Sequence, residues 1–543
     1  MLGGGLVDDR TTSPWSAPIS RRDLFKRGGV LVVSSGTLAA VLAACTGSKS
    51  PVQKQKGGGP QQVEFGLANA FAGFNPALAP QVASLTIIHH VFEPLIRYDQ
   101  FTNTLNPWMF QSLPTKTGAT TYEATLLPGL TFHDGSPVTA ADVVFTMQYM
   151  KDPKNGAFLG AFLNPIKSVS PQGTDKVVFD LEQDFAAFPA TLSVVYVMPE
   201  KIFNAVGNDA FTAKPVGSGP YSFGPTTPGS KVELDRYKPY KGRFKPTLDK
   251  IVFDYIVDDS TREVQILSGQ LDIIDTVPYR DFGLLEKNPK LSTGATLGDR
   301  HLVLETNHTA APFSDVRMRQ ALLYAMDRQA IIDAVLLGKY GQIADSLLPQ
   351  SHPFYVQPQT IYRPDPAKAM SLMAAAGHPK GLDFELLLST IPWISQVGTI
   401  LKEQWAKVGL NATIRLTETE AGYGIVATKK FDLYLAYGVE YALGQDADVI
   451  YRVFDYGPNR VGFYGADSPE EHQYDAFVDK GLLAPTEAER KQNYASAQEI
   501  LSSFVMNNFP LIFAANLGAW RKGVTGYKPG PGDIPDLTTT RIA

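Results

Sequence analysis

Eight histidines, at 89, 90, 133, 301, 308, 352, 378 and 472, and a single cysteine, Cys45, are the residues of this 543-residue chain best suited to metal or nucleophile chemistry. Their spacing argues against both. His89 and His90 are adjacent, so on a helix they point about 100° apart and cannot close on one ion from the same face. No His-Glu-x-x-His pair and no Gly-x-Ser-x-Gly elbow occurs, since Ser218 has Gly217 and Gly219 directly on either side. Pro220 follows where a phosphate cradle needs Lys and Ser/Thr, so Gly217-Ser218-Gly219 reads as a backbone bend. The 54 acidic residues include no pair that spacing singles out as acid and base. We therefore expect no enzyme, no metal and no cofactor. Lys+Arg 49 against Asp+Glu 54 gives a net charge of −5, with no basic excess for a nucleic-acid partner. A mean hydropathy of −0.09 excludes a polytopic membrane protein.

The lone cysteine acquires a role from its position. Ser20-Arg21-Arg22-Asp23-Leu24-Phe25-Lys26-Arg27 precedes an uncharged stretch, Gly28 to Ala44, rich in small residues. At 17 residues it is short for a spanning helix, which needs about 20. A basic segment, an apolar segment and small terminal residues form an export signal, and Arg21-Arg22 with Phe25-Lys26 resembles the twin-arginine type. Leu42-Ala43-Ala44-Cys45 resembles a bacterial lipobox, which makes Cys45 the expected lipidation site. Two or three acyl chains, at about 0.8 kcal/mol per buried methylene, would hold a protein firmly at a membrane. Residues 1–44 are thus expected to be an export signal and 45–62 a flexible tether, placing the protein outside the cytoplasm, lipid-anchored to the cell membrane.

Beyond residue 62 strand and helix patterns alternate, predicting an α/β protein with mixed sheets. Strands are expected at 63–67, 122–127, 176–181, 231–236, 250–257, 383–388 and 411–416. Thr139, with Asp142 three residues on, predicts a helix start. Apolar spacing predicts further helices at 84–97, 315–337 (closed by Gly338), 366–376, 395–408 and 487–504. Asp134-Gly135 marks a tight turn, with His133 satisfying a local hydrogen bond. Arg317, Arg319, Asp327 and Arg328 read as solvated charges or interlobe ion pairs. No linker separates the halves.

Six stretches in order carry a family resemblance: Gly73-Phe74-Asn75-Pro76 with Val91-Phe92-Glu93-Pro94-Leu95; Leu127 to Val143, containing Phe132-His133-Asp134-Gly135; Pro215-Val216-Gly217-Ser218-Gly219-Pro220-Tyr221; Phe313 to Arg328; Asp365-Pro366-Ala367-Lys368 with Ala376-Gly377; and Leu401 to Gly409. On these the chain resembles the extracytoplasmic solute-binding proteins of family 5, the peptide- and nickel-type lipoproteins of ABC importers. The resemblance implies a two-lobe periplasmic-binding-protein-like fold (class II, large peptide-binding type) with a hinge. Lobe I would comprise 63–300 plus 515–543, with an inserted subdomain at about 96–212, and lobe II 301–514. The crossings would be His301–Thr306 and Phe513–Asn516.

It further implies a monomer that captures a small solute, foremost a peptide, between its lobes and delivers it to a permease and ATPase complex. Nickel chelates, oligosaccharides and opines are the alternative solutes, and an exported lipoprotein enzyme or receptor is the alternative class. Peptide-binding relatives anchor the α-ammonium through a carboxylate three residues before an Asp-Pro pair. Here Asp446-Ala447 stands at that pair, Leu443 replaces the anchor and Glu440 is the near substitute. The expected ligand contacts are Phe71, Phe74 and Asn75 from the first loop, Thr390 and Trp393 from the loop after strand 383–388, and Tyr437, Glu440, Tyr441 and Asp446.

Overall fold

The computed structural model describes residues 61–543 apart from 72, 79–81, 158, 439–445, 454, 458–459, 461–466 and 533. The export signal, Cys45 and nearly all of the tether fall outside the described residues, as do Glu440 and Tyr441.

A single eleven-stranded mixed sheet runs through the described residues. At one end Gln62–Leu67 pairs in parallel with Lys250–Tyr255 and with Ile273–Ile274. At the other, Leu382–Ser389 pairs in parallel with Leu410–Thr417 and Leu433–Gly438. Parallel strands need cover on both faces, which explains why Val63, Phe65, Leu386, Leu387 and Leu388 are all buried.

Two long antiparallel strands, Leu291–Thr306 and Asn508–Arg521, join the ends. Their pairing is broken: Leu291–Leu297 matches Arg521–Ala515, and pairing resumes only at His301 with Phe513. Beyond the break, His301–Thr306 also pairs with Gly438–Leu433. Gly298 occupies the gap because a Cβ there would lie 2.5 Å from Pro531. Both expected crossings, His301–Thr306 and Phe513–Asn516, belong to these two strands.

Two main hydrophobic cores flank this junction. One is built from residues 63–253 with Val524, Tyr527 and Leu537; the other from residues between 266 and 519. Val449, Val453 and Leu482 belong to the first core although their neighbours in sequence belong to the second. The halves therefore also meet away from the paired strands.

Local signals position these elements. Thr139 starts the helix Ala140–Lys151, with Asp142 Oδ2 accepting from Thr139 N at 2.9 Å and Thr139 Oγ1 at 2.7 Å, and Val143, Met147 and Met150 buried. The Asp134 turn forms, and His133 Nε2 lies 3.0 Å from the Gly219 carbonyl, so the two glycine-containing motifs brace each other.

Two expected helices differ: the one at 84–97 ends at Val91, ahead of Pro94, and Ile96–Tyr98 is a strand. Residues 315–337 form two helices, Val316–Tyr324 and Arg328–Val335, because Asp327 Oδ1 accepts from Ala330 N at 3.0 Å and starts a second one. Arg319 and Arg328 are not solvated. Arg319 is fully buried, donating to the carbonyls of Val505, Phe313 and Phe504, and Arg328 donates to Ala344 O and pairs with Asp345 at 2.8 Å. A charged arginine can be buried where carbonyls satisfy its planar donors.

Candidate functional site

Two cavities bear on function. The smaller, of about 130 Å³, lies at the break in the long strand pair. Arg300, which stands in that break, lines it together with Thr276, Tyr279 and Trp393. It thus draws on three separate segments, 259–280, 334–337 and 391–396, besides Arg300. Trp393 sits in the first turn of the helix Pro392–Ala406, not in a loop as expected, because Pro392 with its fixed φ starts that helix. Its ring meets Tyr279 edge-on at 6.1 Å, and the Arg300 guanidinium lies 5.8 Å from the Trp393 ring and 5.2 Å from that of Tyr437. Cation–π contacts of this kind contribute about 0.5–2 kcal/mol, most where water is excluded. Arg300 is 3% exposed.

The hydrogen-bond balance of this cavity is incomplete in a specific way. The Trp393 indole N–H is buried without an acceptor, as is the Thr276 hydroxyl. Tyr279, by contrast, donates its hydroxyl to Ala515 O at 2.8 Å. Leaving a buried donor unmet costs about 1–3 kcal/mol. Thr276 also has φ +50°, unusual for a β-branched residue. Such strain concentrates at ligand clamps.

The larger cavity, of about 390 Å³, is lined by parts of 76–108, 159–196 and 532–539. At its wall Glu93 Oε1 accepts from Trp108 Nε1 at 3.1 Å and from the Tyr240 hydroxyl. Burial pushes the Glu93 carboxyl up to about 7, against those hydrogen bonds and the charges of Arg97 and Arg243. Arg97 pairs with Asp536 at 2.6 Å and lies over the Trp108 ring. Burial likewise drives His89 down to about 3, keeping it neutral where it stacks on Tyr196.

The expected contacts divide among these places. Trp393 lines the smaller cavity and Tyr437 flanks its arginine. Thr390 is exposed, its backbone N–H bonded to Thr417 O, and lines neither cavity. Phe71 and Phe74 are buried in the first core, Phe74 packing on Phe223 at 4.8 Å and Phe71 on Tyr255 at 6.5 Å. Asn75 is spent on structure: its Nδ2 donates to Asn208 Oδ1 and its Oδ1 accepts from Ala77 N, both at 3.0 Å. Through Ala77 it supports the wall of the larger cavity.

Asp446 has both oxygens engaged. Oδ1 accepts from Arg490 Nη2 at 2.6 Å and Asp448 N at 2.9 Å, and Oδ2 accepts from the Tyr98 hydroxyl at 3.0 Å. Burial alone would raise this carboxyl; the Arg490 charge and the hydrogen bonds hold it below the usual carboxylate range. Tyr98 lines the larger cavity, so the chain leaves Tyr437 beside one cavity and returns at Asp446 beside the other. Tyr98→Phe should lower the unfolding free energy by about 1–2 kcal/mol, the worth of one hydrogen bond to a charged acceptor. Urea denaturation measures it, and an unchanged midpoint would show that the bond carries no net weight.

Sequence reasoning missed Arg300, Thr276 and Tyr279. Their convergence depends on a strand break and a positive φ, neither of which has a local signature.

The comparisons with known proteins agree with this architecture. Residues 104–459 match the family model described as "Bacterial extracellular solute-binding proteins, family 5 Middle". A glutathione-binding protein of Pectobacterium atrosepticum is 28% identical over 398 residues, 72% of this chain and 73% of its own length. An oligopeptide-binding protein of Bacillus subtilis is 28% identical over 414 residues, 71% of this chain and 75% of its own. Among solved structures, a dipeptide-binding protein from Pseudoalteromonas sp. with Met-Leu superposes with a TM-score of 0.79 at 20% identity, covering 89% of this chain and 100% of that one. A binding protein holding agropinic acid, from A. tumefaciens, superposes at 0.77 with 25% identity, covering 89% and 99%. The two-core, mixed α/β fold is the periplasmic-binding-protein fold, and proteins of this group bind solutes and are not enzymes. The match over residues 104–459, two thirds of the chain, establishes that this chain belongs to the bacterial extracellular solute-binding proteins of family 5.

Proposed function

We propose that the protein is a lipid-anchored, extracytoplasmic capture protein that encloses a small solute between two lobes and hands it to the permease of an ABC importer. The lobes are 63–300 with 515–543, including an inserted subdomain at about 96–212, and 301–514, moving about the paired strands. The observation that carries this reading is the cavity at the strand break, where segments distant in sequence converge around Arg300 and Trp393 beside the two long strands that join the ends of the sheet. A solute contacting both walls stabilises only the closed arrangement, which is how differential binding drives a hinge. The anchor and the export route rest on Leu42-Ala43-Ala44-Cys45 and Arg21-Arg22. The protein acts as a monomer in this scheme.

Peptides are the leading solute class, in keeping with relatives named as glutathione- and oligopeptide-binding proteins. Leu443, where the resemblance expects an ammonium-anchoring Asp, favours a second reading: an opine or another small organic solute. A buried ammonium without a carboxylate partner is costly, and the agropinic acid complex is a neighbour in fold. Native mass spectrometry of the mature protein, purified without denaturation, should show a mass excess that disappears on unfolding and identifies the solute. If no solute is retained, and calorimetry with dipeptides, glutathione and opines gives no heat while small-angle scattering shows no closure, the proposal fails.

A further inference from the structure

The charges on the wall of the larger cavity are already engaged. Arg97, the one arginine or lysine among its described lining residues, pairs with Asp536 at 2.6 Å. Glu93 accepts from Trp108 and Tyr240, and burial keeps it protonated below about pH 7. His89 is held neutral by burial, its Nε2 2.8 Å from the Tyr196 hydroxyl. His90 accepts at Nε2 from Leu537 N at 3.1 Å and donates from Nδ1 to Thr86 O at 2.7 Å, the pattern of a neutral ring. The Tyr98 hydroxyl donates to Asp446, and the exposed Asp99 accepts from Phe101 N and Thr102 N. No buried side-chain atom that lacks a partner belongs to a described residue of this wall.

What remains to meet a ligand is apolar: Leu78, Leu85, Phe92, Trp108, Phe244 and Ile534. Such a wall favours an occupant by removing apolar surface from water. A charged group entering it would lose its hydration with no partner to replace it. Trp108 and Phe244, tilted at 6.0 Å, offer ring edges and faces, which suit another aromatic ring. A cavity of roughly 150 Å³ accepts a benzene. This one, at about 390 Å³, therefore has room for a larger aromatic group. None of its described lining residues belongs to the second core, so an occupant here needs no contact with that core.

We propose that this cavity is a binding site for a neutral aromatic group, separate from the cavity at the strand break. The group is a free small molecule or the side chain of a captured peptide. The site stands whether or not a solute is enclosed at the strand break.

The test uses the mature protein, dialysed, labelled with ¹⁵N-tryptophan and held at pH 6. It reads the indole N–H signal of Trp108, with that of Trp393 at the smaller cavity as the control. The signals are assigned by their loss in Trp108→Phe and Trp393→Phe, or by triple-resonance spectra should a variant not fold. Benzyl alcohol, benzoate and benzylammonium share one ring and differ in charge. Benzyl alcohol should move the Trp108 signal saturably at millimolar concentration and leave Trp393 in place, with each ion at least tenfold weaker. Ser193→Phe, which puts a ring into the space from a half-buried wall position, should abolish the response; Leu78→Phe replaces it if that variant does not fold. Ala-Phe moving Trp108 where Ala-Ala does not assigns the ring to a peptide side chain; a response to benzyl alcohol alone assigns it to a free molecule. No saturable shift, an equal response to either ion, or an equal shift of Trp393 overturns the proposal. A protein that retains a solute by mass spectrometry while Trp108 ignores benzyl alcohol keeps the capture reading and loses this one.

Discussion

Replacing Arg490 with Met should lower the unfolding free energy by about 3–5 kcal/mol at neutral pH, the cost of stripping a buried charge of its partner. The Arg490 side chain is 2% exposed and that of Asp446 5%. Their 2.6 Å contact is reinforced by the Phe354 ring, 4.7 Å from the guanidinium. Methionine would fill most of the space but leave Asp446 with only Tyr98 and Asp448 N as donors. The pH dependence gives an internal check. In the wild type the Asp446 carboxyl lies below its ordinary value, so the pair stabilises the fold above about pH 4 and is lost as pH falls through the folded value. In Arg490→Met the carboxyl rises, and protonation relieves the penalty on acidification. Denaturant unfolding at pH 7 and pH 4.5 measures both. A loss below 1 kcal/mol at pH 7 would mean that water reaches the carboxylate.

Glu93→Gln should act in the opposite direction, stabilising the protein at pH 8 by about 3 kcal/mol at most and changing little at pH 5. The Glu93 carboxyl is pushed up to about 7 by burial, so between about pH 4.5 and 7 the folded protein holds a proton that the unfolded chain has released. Stability attributable to this group is therefore present at low pH and is lost as pH rises through 7. Glutamine retains an oxygen acceptor for Trp108 Nε1 and Tyr240 and removes the charge that burial penalises. The difference in unfolding free energy between variant and wild type, compared at pH 8 and pH 5, decides the matter: equal differences would refute the assignment. His89, His133 and His308 have the reverse sign. Burial lowers all three, to about 3, 4 and 4, so their stability is present above about pH 6.5 and lost on acidification.

How much of this was legible in the sequence follows from the range of each interaction. Strands 62–67, 176–181 and 231–236 and the helices after Thr139, Asp365 and Thr486 lie where periodicity and caps place them. Those signals act over three or four residues. The helix expected at 315–337 split because the capping strength of Asp327 competes with a continuous apolar face, and the cap wins. The arginines on that helix read as solvated because a sequence does not show the carbonyls of Phe504 and Val505 that satisfy Arg319.

The candidate site was legible in part. Trp393 and Tyr437 were singled out because aromatics stand out in segments that the resemblance marks, and the structure places Trp393 at the smaller cavity and Tyr437 beside its arginine. Phe71 and Phe74 were chosen for the same reason and pack in a core, where most aromatics go. Asp446 was recognised by its place in a motif, but Arg490 lies 44 residues away and gives no sign in sequence that it will occupy that carboxylate.

By itself, then, the sequence determined the alternating α/β pattern and the family, both carried by short contiguous runs whose chemistry does not depend on distant partners. The tertiary structure alone decided where the two halves touch, which charges are neutralised inside the protein, and that Thr276, Arg300 and Trp393 face one cavity. Those outcomes depend on a register break between strands more than 200 residues apart and on desolvation. Both are properties of the packed chain and of no local stretch within it.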